Sequence, residues 1–267
     1  MIMAPNDDAN LSSGMERDSL EKPLGNVQEV NPAAVGLAAV MAESKPRPFS
    51  PAMIRLYGIM AIGLSCVHHQ RLCSLMGSIN AMKPYQESFG LSGAGSSTGI
   101  VFVVYNLAQL TALPPTPFLS DGYGRRFGIF VGCAIILVGT AVQGSAQSLG
   151  QFIAGRALLG AGAATASAIG PAYTVELAHP SYRGFMAGMY NNFWWLGNIL
   201  AGWTTYGTNL NLKTEWAWRI PTITQAATPT VIMLMILWFP ESPRWLMAKD
   251  RTEDALAVLA RYHGVGP

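Results

Sequence analysis

In this chain of 267 residues half the side chains are hydrophobic and only 12% are charged, against about 25% charged in a soluble domain. A net charge of +2 without a basic block excludes a nucleic-acid surface, and three cysteines exclude a disulfide framework. Charge is also missing in long runs: residues 88–120, 127–155, 157–175, 184–212 and 220–240 contain no Asp, Glu, Lys or Arg. A membrane-spanning helix needs about 20 mostly apolar residues, so the chain reads as an all-α, multi-span membrane protein.

Residues 1–50 are polar, charged and rich in Asn, Ser and Pro. They cannot bury enough apolar surface to order themselves, so a disordered tail is expected. No charged n-region leads into an apolar stretch there, which argues against a signal peptide. Six spans are then predicted within a transmembrane domain of residues 51–240. They cover roughly 53–78, 95–118, 127–147, 150–173, 185–206 and 217–239. The second runs into Pro114-Pro115-Thr116-Pro117, which should kink or break it. Residues 241–267 follow as a polar segment. Within it TEDALAVLARY, from Thr252, has an N-cap residue, acids in its first turn and apolar Leu256 and Leu259, predicting a short amphipathic helix.

Lysine and arginine set the orientation. With six spans both ends share one side, which would hold Lys45, Arg47, Arg55, Arg125, Arg126, Arg183, Arg244, Lys249 and Arg251. The other side would hold only Lys83, Lys213 and Arg219. Both termini are therefore expected in the cytoplasm, with the chain in the plasma membrane.

The first span contains the odd stretch AIGLSCVHHQRLCSLMG, residues 61–77. Cys66, His68, His69 and Cys73 are zinc-ligating residue types. Structural zinc sites use C-x2–4-C and H-x3–5-H spacings, whereas here the cysteines are seven apart and the histidines adjacent. Adjacent helical residues point about 100° apart, so no metal and no cofactor is expected.

Three motifs carry the remaining polar chemistry. Asp121-Gly122-Tyr123-Gly124-Arg125-Arg126 lies between the second and third spans; its glycines permit a tight turn, and its acid and two guanidinium groups can pair with neighbouring helix ends. GRALLGAGAATASAIGPAYTVELAHPSYRG, residues 155–184, joins small residues that let helices approach closely to Arg156 at one end and Glu176 and Arg183 at the other. Pro240-Glu241-Ser242-Pro243-Arg244-Trp245 follows the sixth span.

In order and spacing these motifs resemble the sugar porter branch of the major facilitator superfamily. RLYGIMAIG, SLMGSINAMKPYQESFGL, YNNFWWLGNILAGWTTYGTN and WAWRIP are most similar to fungal lactose- and hexose-permease-like members. The resemblance implies a six-helix bundle corresponding to the N-terminal half of a twelve-span transporter. It also implies a partner half of six further helices, since this chain stops at Pro267 where the family continues. The implied function is transport of a small sugar across the bilayer by alternating access, with proton symport in intact members. The alternative is a truncated or frame-disrupted membrane fragment without transport. No enzyme is implied.

The resemblance also assigns residues. Two family glutamines on the fifth span correspond to Asn191 and Asn198, seven apart and so on one helix face. Amides can donate and accept together, which suits sugar hydroxyls; interhelical hydrogen bonding is the other use of Asn at such positions. Asp121, Arg125, Arg126, Glu176, Arg183, Glu241 and Arg244 correspond to a conformational charge network at the cytoplasmic ends of the helices. Arg156 corresponds to the arginine that faces a proton-accepting acid of the first span. No acid exists between residues 51 and 86; LSCVHHQRLC stands where the family carries a Ser-Thr-x-Asn-Gly-Tyr-Asp-Gly pattern. One codon choice for Val67–Arg71, read one base out, yields Ser-Thr-Ile-Asn-Gly. A local change of reading frame is therefore expected there; the alternative is a diverged but functional first span.

Overall fold

The computed structural model describes residues 73–91, 96–179 and 182–263. The tail expected over 1–50, the first span up to residue 72, the Cys66/His68/His69 stretch and its proposed frame change lie outside the described residues. Among those described every regular element is a helix.

α1 (Cys73–Asn80) and α2 (Lys83–Phe89) are short, and α2 starts on Pro84 in its first turn and closes at Gly90 in the left-handed conformation. α3 (Ser96–Ala112) and α4 (Thr116–Tyr123) are two limbs of one bent element, 44° apart across Leu113-Pro114-Pro115. Pro114 and Pro115 have no N–H to give, so the helix breaks where the proline cluster predicts. α5 (Arg125–Gly144) follows after a one-residue turn, and α6 (Leu149–Leu177) starts with the Ser148 side chain accepting from Gln151 N. α6 keeps Pro171 inside it. One turn on, the Thr174 hydroxyl donates to Gly170 O at 2.8 Å. α7 (Arg183–Asn211) is as long as α6. α8 (Trp216–Thr224) and α9 (Ala227–Ile236) are separated at Gln225-Ala226. Pro229 cannot donate back to Gln225 O, the missing bond that accompanies this interruption. α10 (Pro243–Ala248) and α11 (Thr252–His263) are the last of the described elements.

Long charge-free runs are not all equal as spans. Among the described residues α5 and α6 are each long and apolar enough to cross a membrane, and the bent α3–α4 pair makes a third if taken as one span. The six-span expectation is therefore met in two or three elements. α7 carries Asn191, Asn192, Asn198, Thr204, Thr205, Thr208, Asn209 and Asn211, which lower its apolar character. The expected span over 217–239 is divided at the α8–α9 break.

α5 and α6 make the most extensive helix pair, with α3 on the far side of α6 and α9 against α5. Small residues set the approach. A Cβ placed on Gly162 would lie 2.7 Å from Ile136 Cγ1 and 2.8 Å from Gly132 O; one on Gly139 would lie 2.8 Å from Leu159 N. In a bilayer lipid tails are as apolar as leucine, so close backbone packing of this kind, not burial from water, holds helices together. Two apolar clusters flank the seam. One gathers Ile129, Cys133, Ile136, Ala166, Ile169, Tyr173, Ile232 and Ile236; the other gathers Met76, Ile79, Met82, Tyr85, Phe152 and Trp218.

Candidate functional site: the charged end of the bundle

The site begins with the turn between α4 and α5. Gly124 has φ +108°, a conformation that side chains rarely adopt, and its N–H closes α4 on Ser120 O at 3.1 Å. Gly122 lies inside α4 with open space around it, so only the second glycine of the motif is needed for the turn. α5 therefore starts abruptly, with unpaired amides at its N-terminus. Glu241 fills that role. Its Oε1 accepts from Arg125 N at 3.0 Å, Arg126 N at 3.3 Å and Ser242 N at 3.1 Å. A carboxylate at a helix N-terminus also meets the positive end of the helix dipole.

The side chains of α5 return the tie. The Arg126 guanidinium donates to Ile236 O at 3.1 Å and to Leu237 O, capping the carbonyl end of α9. Arg125 reaches in the other direction. Its Nη1 lies 2.6 Å from Asp121 Oδ1, and its Nε and Nη2 contact Glu176 at 3.2 and 3.4 Å. The Arg125 and Glu176 side chains are only 14% and 10% exposed, so this is a sheltered pair rather than a surface one. Glu176 Oε2 also accepts from the Ser242 hydroxyl at 2.6 Å. Four elements thus converge on three carboxylates and two guanidinium groups: α4 through Asp121, α5 through Arg125 and Arg126, α6 through Glu176, and the α9–α10 link through Glu241.

Arg183 and Arg244, expected in the same network, stand elsewhere. Both are exposed, and among the described residues neither forms an ion pair. Arg183 opens α7 and Arg244 lies in the first turn of α10, so each side chain projects from a helix start into open space.

Three partners were not foreseen. The Ser242 hydroxyl both bonds Glu176 and caps α10 by accepting from Trp245 N at 3.4 Å; Ser before Pro at a helix start is a legible cap signal. The Trp245 indole donates to Asp121 O at 3.0 Å, and the Tyr173 phenol donates to Pro240 O at 2.6 Å. Neither of these carries a local sequence signal.

The other expected site residues lie away from this end. Asn191 and Asn198 are both on α7; Asn198 is half-buried, and the Asn191 side chain is outside what the structure describes. Arg156 is 1% exposed in α6, with its guanidinium carbon 4.7 Å from the centroid of the Tyr105 ring of α3. Beyond it, rings of Tyr85, Phe89, Phe152 and Trp218 meet at 5.3 to 6.0 Å. Burial pushes the Tyr85 phenol up to about 12, with the charge of Arg156 pulling the other way. Among the described residues no group of three or more His, Cys, Asp or Glu is arranged to hold a metal ion.

Comparison with known proteins completes the picture. The chain is similar to the MFS-type transporter criB of Aspergillus cristatus, 34% identical over 145 residues, covering 54% of this chain and 31% of that protein. Quinate permease of Neurospora africana is 35% identical over 149 residues, 54% of this chain and 28% of its own length. A probable quinate permease of Neosartorya fischeri aligns over 235 residues at 28% identity, 82% of this chain and 42% of that one. Among solved structures, the proton:xylose symporter XylE bound to 6-bromo-6-deoxy-D-glucose superposes with a TM-score of 0.70 at 19% identity, over 79% of this chain and 50% of that one. XylE from E. coli in a partially occluded inward-open conformation gives 0.69 at 17% identity, over 79% and 55%. The fold is thus that of the major facilitator proteins, and the chain spans about half the length of these solved structures and less of the curated relatives. The sequence model of the sugar (and other) transporter family matches residues 73–267, and with it the chain belongs to that family, the sugar porters of the major facilitator superfamily.

Proposed function

We propose that the chain is the N-terminal six-helix half of a transporter that carries a small hydroxylated molecule, a sugar in the first instance, across the plasma membrane by alternating access. The observation that carries this reading is the charged end of the bundle. Arg125, Asp121, Glu176 and Glu241 join helices that would have to separate for that face to open. Such a network acts as a latch, because its bonds are lost together when the helix ends part. Arg183 and Arg244, exposed on the same segments, are free to pair with a second half. Asn191 and Asn198 supply amides on one face of α7 for substrate hydroxyls, and Arg156 supplies the buried positive charge through which proton binding couples to the cycle. The permease names of the relatives extend the substrate class to quinate, another hydroxylated ring. Both termini face the cytoplasm, as the Lys and Arg distribution favours.

A transport-inactive chain is the second reading, favoured by the absence of any acid between residues 51 and 86, where the family carries its proton acceptor. Transporters of this class rock one repeat against the other around a central site. Uptake of radiolabelled glucose, lactose and quinate in a transporter-null yeast separates the two. The chain co-expressed with the C-terminal half of a relative should restore uptake of at least one, and Glu176→Ala should abolish it with expression maintained. Absence of uptake of all three, with both halves present in the membrane, supports the inactive chain.

A further inference from the structure

We infer that Tyr105 is the positioning residue for Arg156: its ring, held in place by Gly160 and Gln109, fixes the buried guanidinium in the bundle. This rests on the reading of Arg156 as the charge that couples proton binding to transport. Three observations converge on it. The guanidinium carbon lies 4.7 Å from the Tyr105 ring centroid, inside the range for attraction between a cation and an aromatic face. Both side chains are buried, at 1% and 3% exposure, where that attraction is strongest because neither is hydrated. The backbone is shaped to bring them together. Gly160 lies one turn along α6 from Arg156, and a Cβ on it would collide with the Tyr105 carbonyl oxygen and sit 3.2 Å from Ala108 Cβ. Only glycine lets α6 come this near α3. Gln109 Nε2 also donates to the Tyr105 hydroxyl at 3.1 Å from the next turn of α3, which favours this orientation of the ring.

The chemistry suits a coupling arginine. A ring face holds a guanidinium without occupying its N–H donors and without a proton of its own to exchange. Arg156 can therefore change polar partners during a cycle and stay where it is. A carboxylate as sole anchor could not do this, because protonation would release the arginine. Tyr85, whose phenol also feels the charge of Arg156 from α2, stays protonated and neutral across the working range, so it adds no competing charge.

The test pairs a stability cycle with transport. Thermal midpoints of the purified chain in detergent are measured for Tyr105→Leu, Arg156→Met and the double variant, with Tyr105→Phe as the variant that keeps the ring. The double variant should lose clearly less than the sum of the two singles, and Tyr105→Phe should stay near the unaltered protein. Additive losses overturn the contact, whatever uptake does. Where uptake is obtained, Tyr105→Leu should lower its maximal rate about tenfold or more with half-saturation within about twofold, and Tyr105→Phe should restore it. Uptake unchanged in Tyr105→Leu overturns the positioning role. Should Tyr105→Leu fail to accumulate, Gly160→Ala replaces it in both arms, since its Cβ must move α3 and the ring together. If the unaltered chain does not transport with a C-terminal half present in the membrane, the proposed function fails, while the thermal cycle still decides the Tyr105–Arg156 contact.

Discussion

At one end of the bundle Arg125, Arg126, Asp121, Glu176 and Glu241 tie four elements through directed bonds of 2.6 to 3.4 Å. At the other end, Tyr85, Phe89, Phe152 and Trp218 tie α2, α6 and α8 with ring contacts at 5.3 to 6.0 Å. The difference lies in how each tie yields. Directed bonds between charges are lost once geometry drifts by an ångström or so, and their energy in a sheltered site is largely spent on removing the charges from water. Ring packing has no such threshold; tilted and edge-on arrangements are close in energy, so helices can pivot over one another while staying in contact. One end is therefore the more sensitive to small displacements of its helices, the other the more tolerant.

The comparison breaks most readily at its aromatic end. Trp218 is fully buried at the middle of the ring cluster; Trp218→Ala should cost about 4 kcal/mol, seen as a large fall in thermal midpoint and loss of near-ultraviolet circular dichroism. If the loss is instead about 1 kcal/mol, the rings are not the tie described. At the charged end, Arg125→Ala leaves Glu176 sheltered with only Ser242 beside it. The expected loss is about 3 kcal/mol, read by denaturation in mild detergent, and Glu176→Gln in the same background should recover part of it.

A pH experiment sharpens the aromatic side. Tyr85 has its pKa raised from 10.0 to about 12, by burial first. A group that holds its proton more tightly when folded gives stability that is complete below the unfolded value and is lost as pH rises through the folded one. Stability should therefore decline between pH 10 and about 12, and Tyr85→Phe should flatten that decline; an identical decline in both proteins would remove Tyr85 as its cause. The smallest effect is expected where charges pair in the open. Arg251 and Asp254 lie 2.8 Å apart but are 58% and 56% exposed. Arg251→Ala should change stability by no more than about 0.5 kcal/mol, which calibrates how much of the Arg125 effect comes from shelter.

How much of this is legible from residues alone depends on the distance over which a feature is encoded. α5 and α6 are written locally, as long runs without charge, and the α3–α4 bend is written in its prolines. The network members Asp121, Arg125, Arg126, Glu176 and Glu241 stand out because charges are so rare in this chain and gather at helix ends. Arg183 and Arg244 share those motifs yet project away, since motif membership does not say which way a helix start faces. The ring cluster is illegible for a plain reason: Tyr85 and Trp218 are more than a hundred residues apart, and no periodicity links them. The polarity of α7 and the break at Gln225-Ala226 are invisible to a reading by charge alone, because Asn, Thr and Pro also decide whether a run is a span.

Gly122 and Gly124, on either side of the end of α4, have a practical consequence for labelling the molecule. At Gly124 any side chain would strain the backbone and would place its Cβ 2.7 Å from Glu241 Oε2, so labelling there destroys what it is meant to observe. Gly122 is two residues away, helical, with nothing within 4 Å of its Cβ position. A cysteine there would take a dye into open space beside Asp121, whose carbonyl is held by the Trp245 indole at 3.0 Å. Tryptophan quenches many dyes on contact. On the proposed latch, such a dye should be dim while the helix ends are tied and brighten if they part.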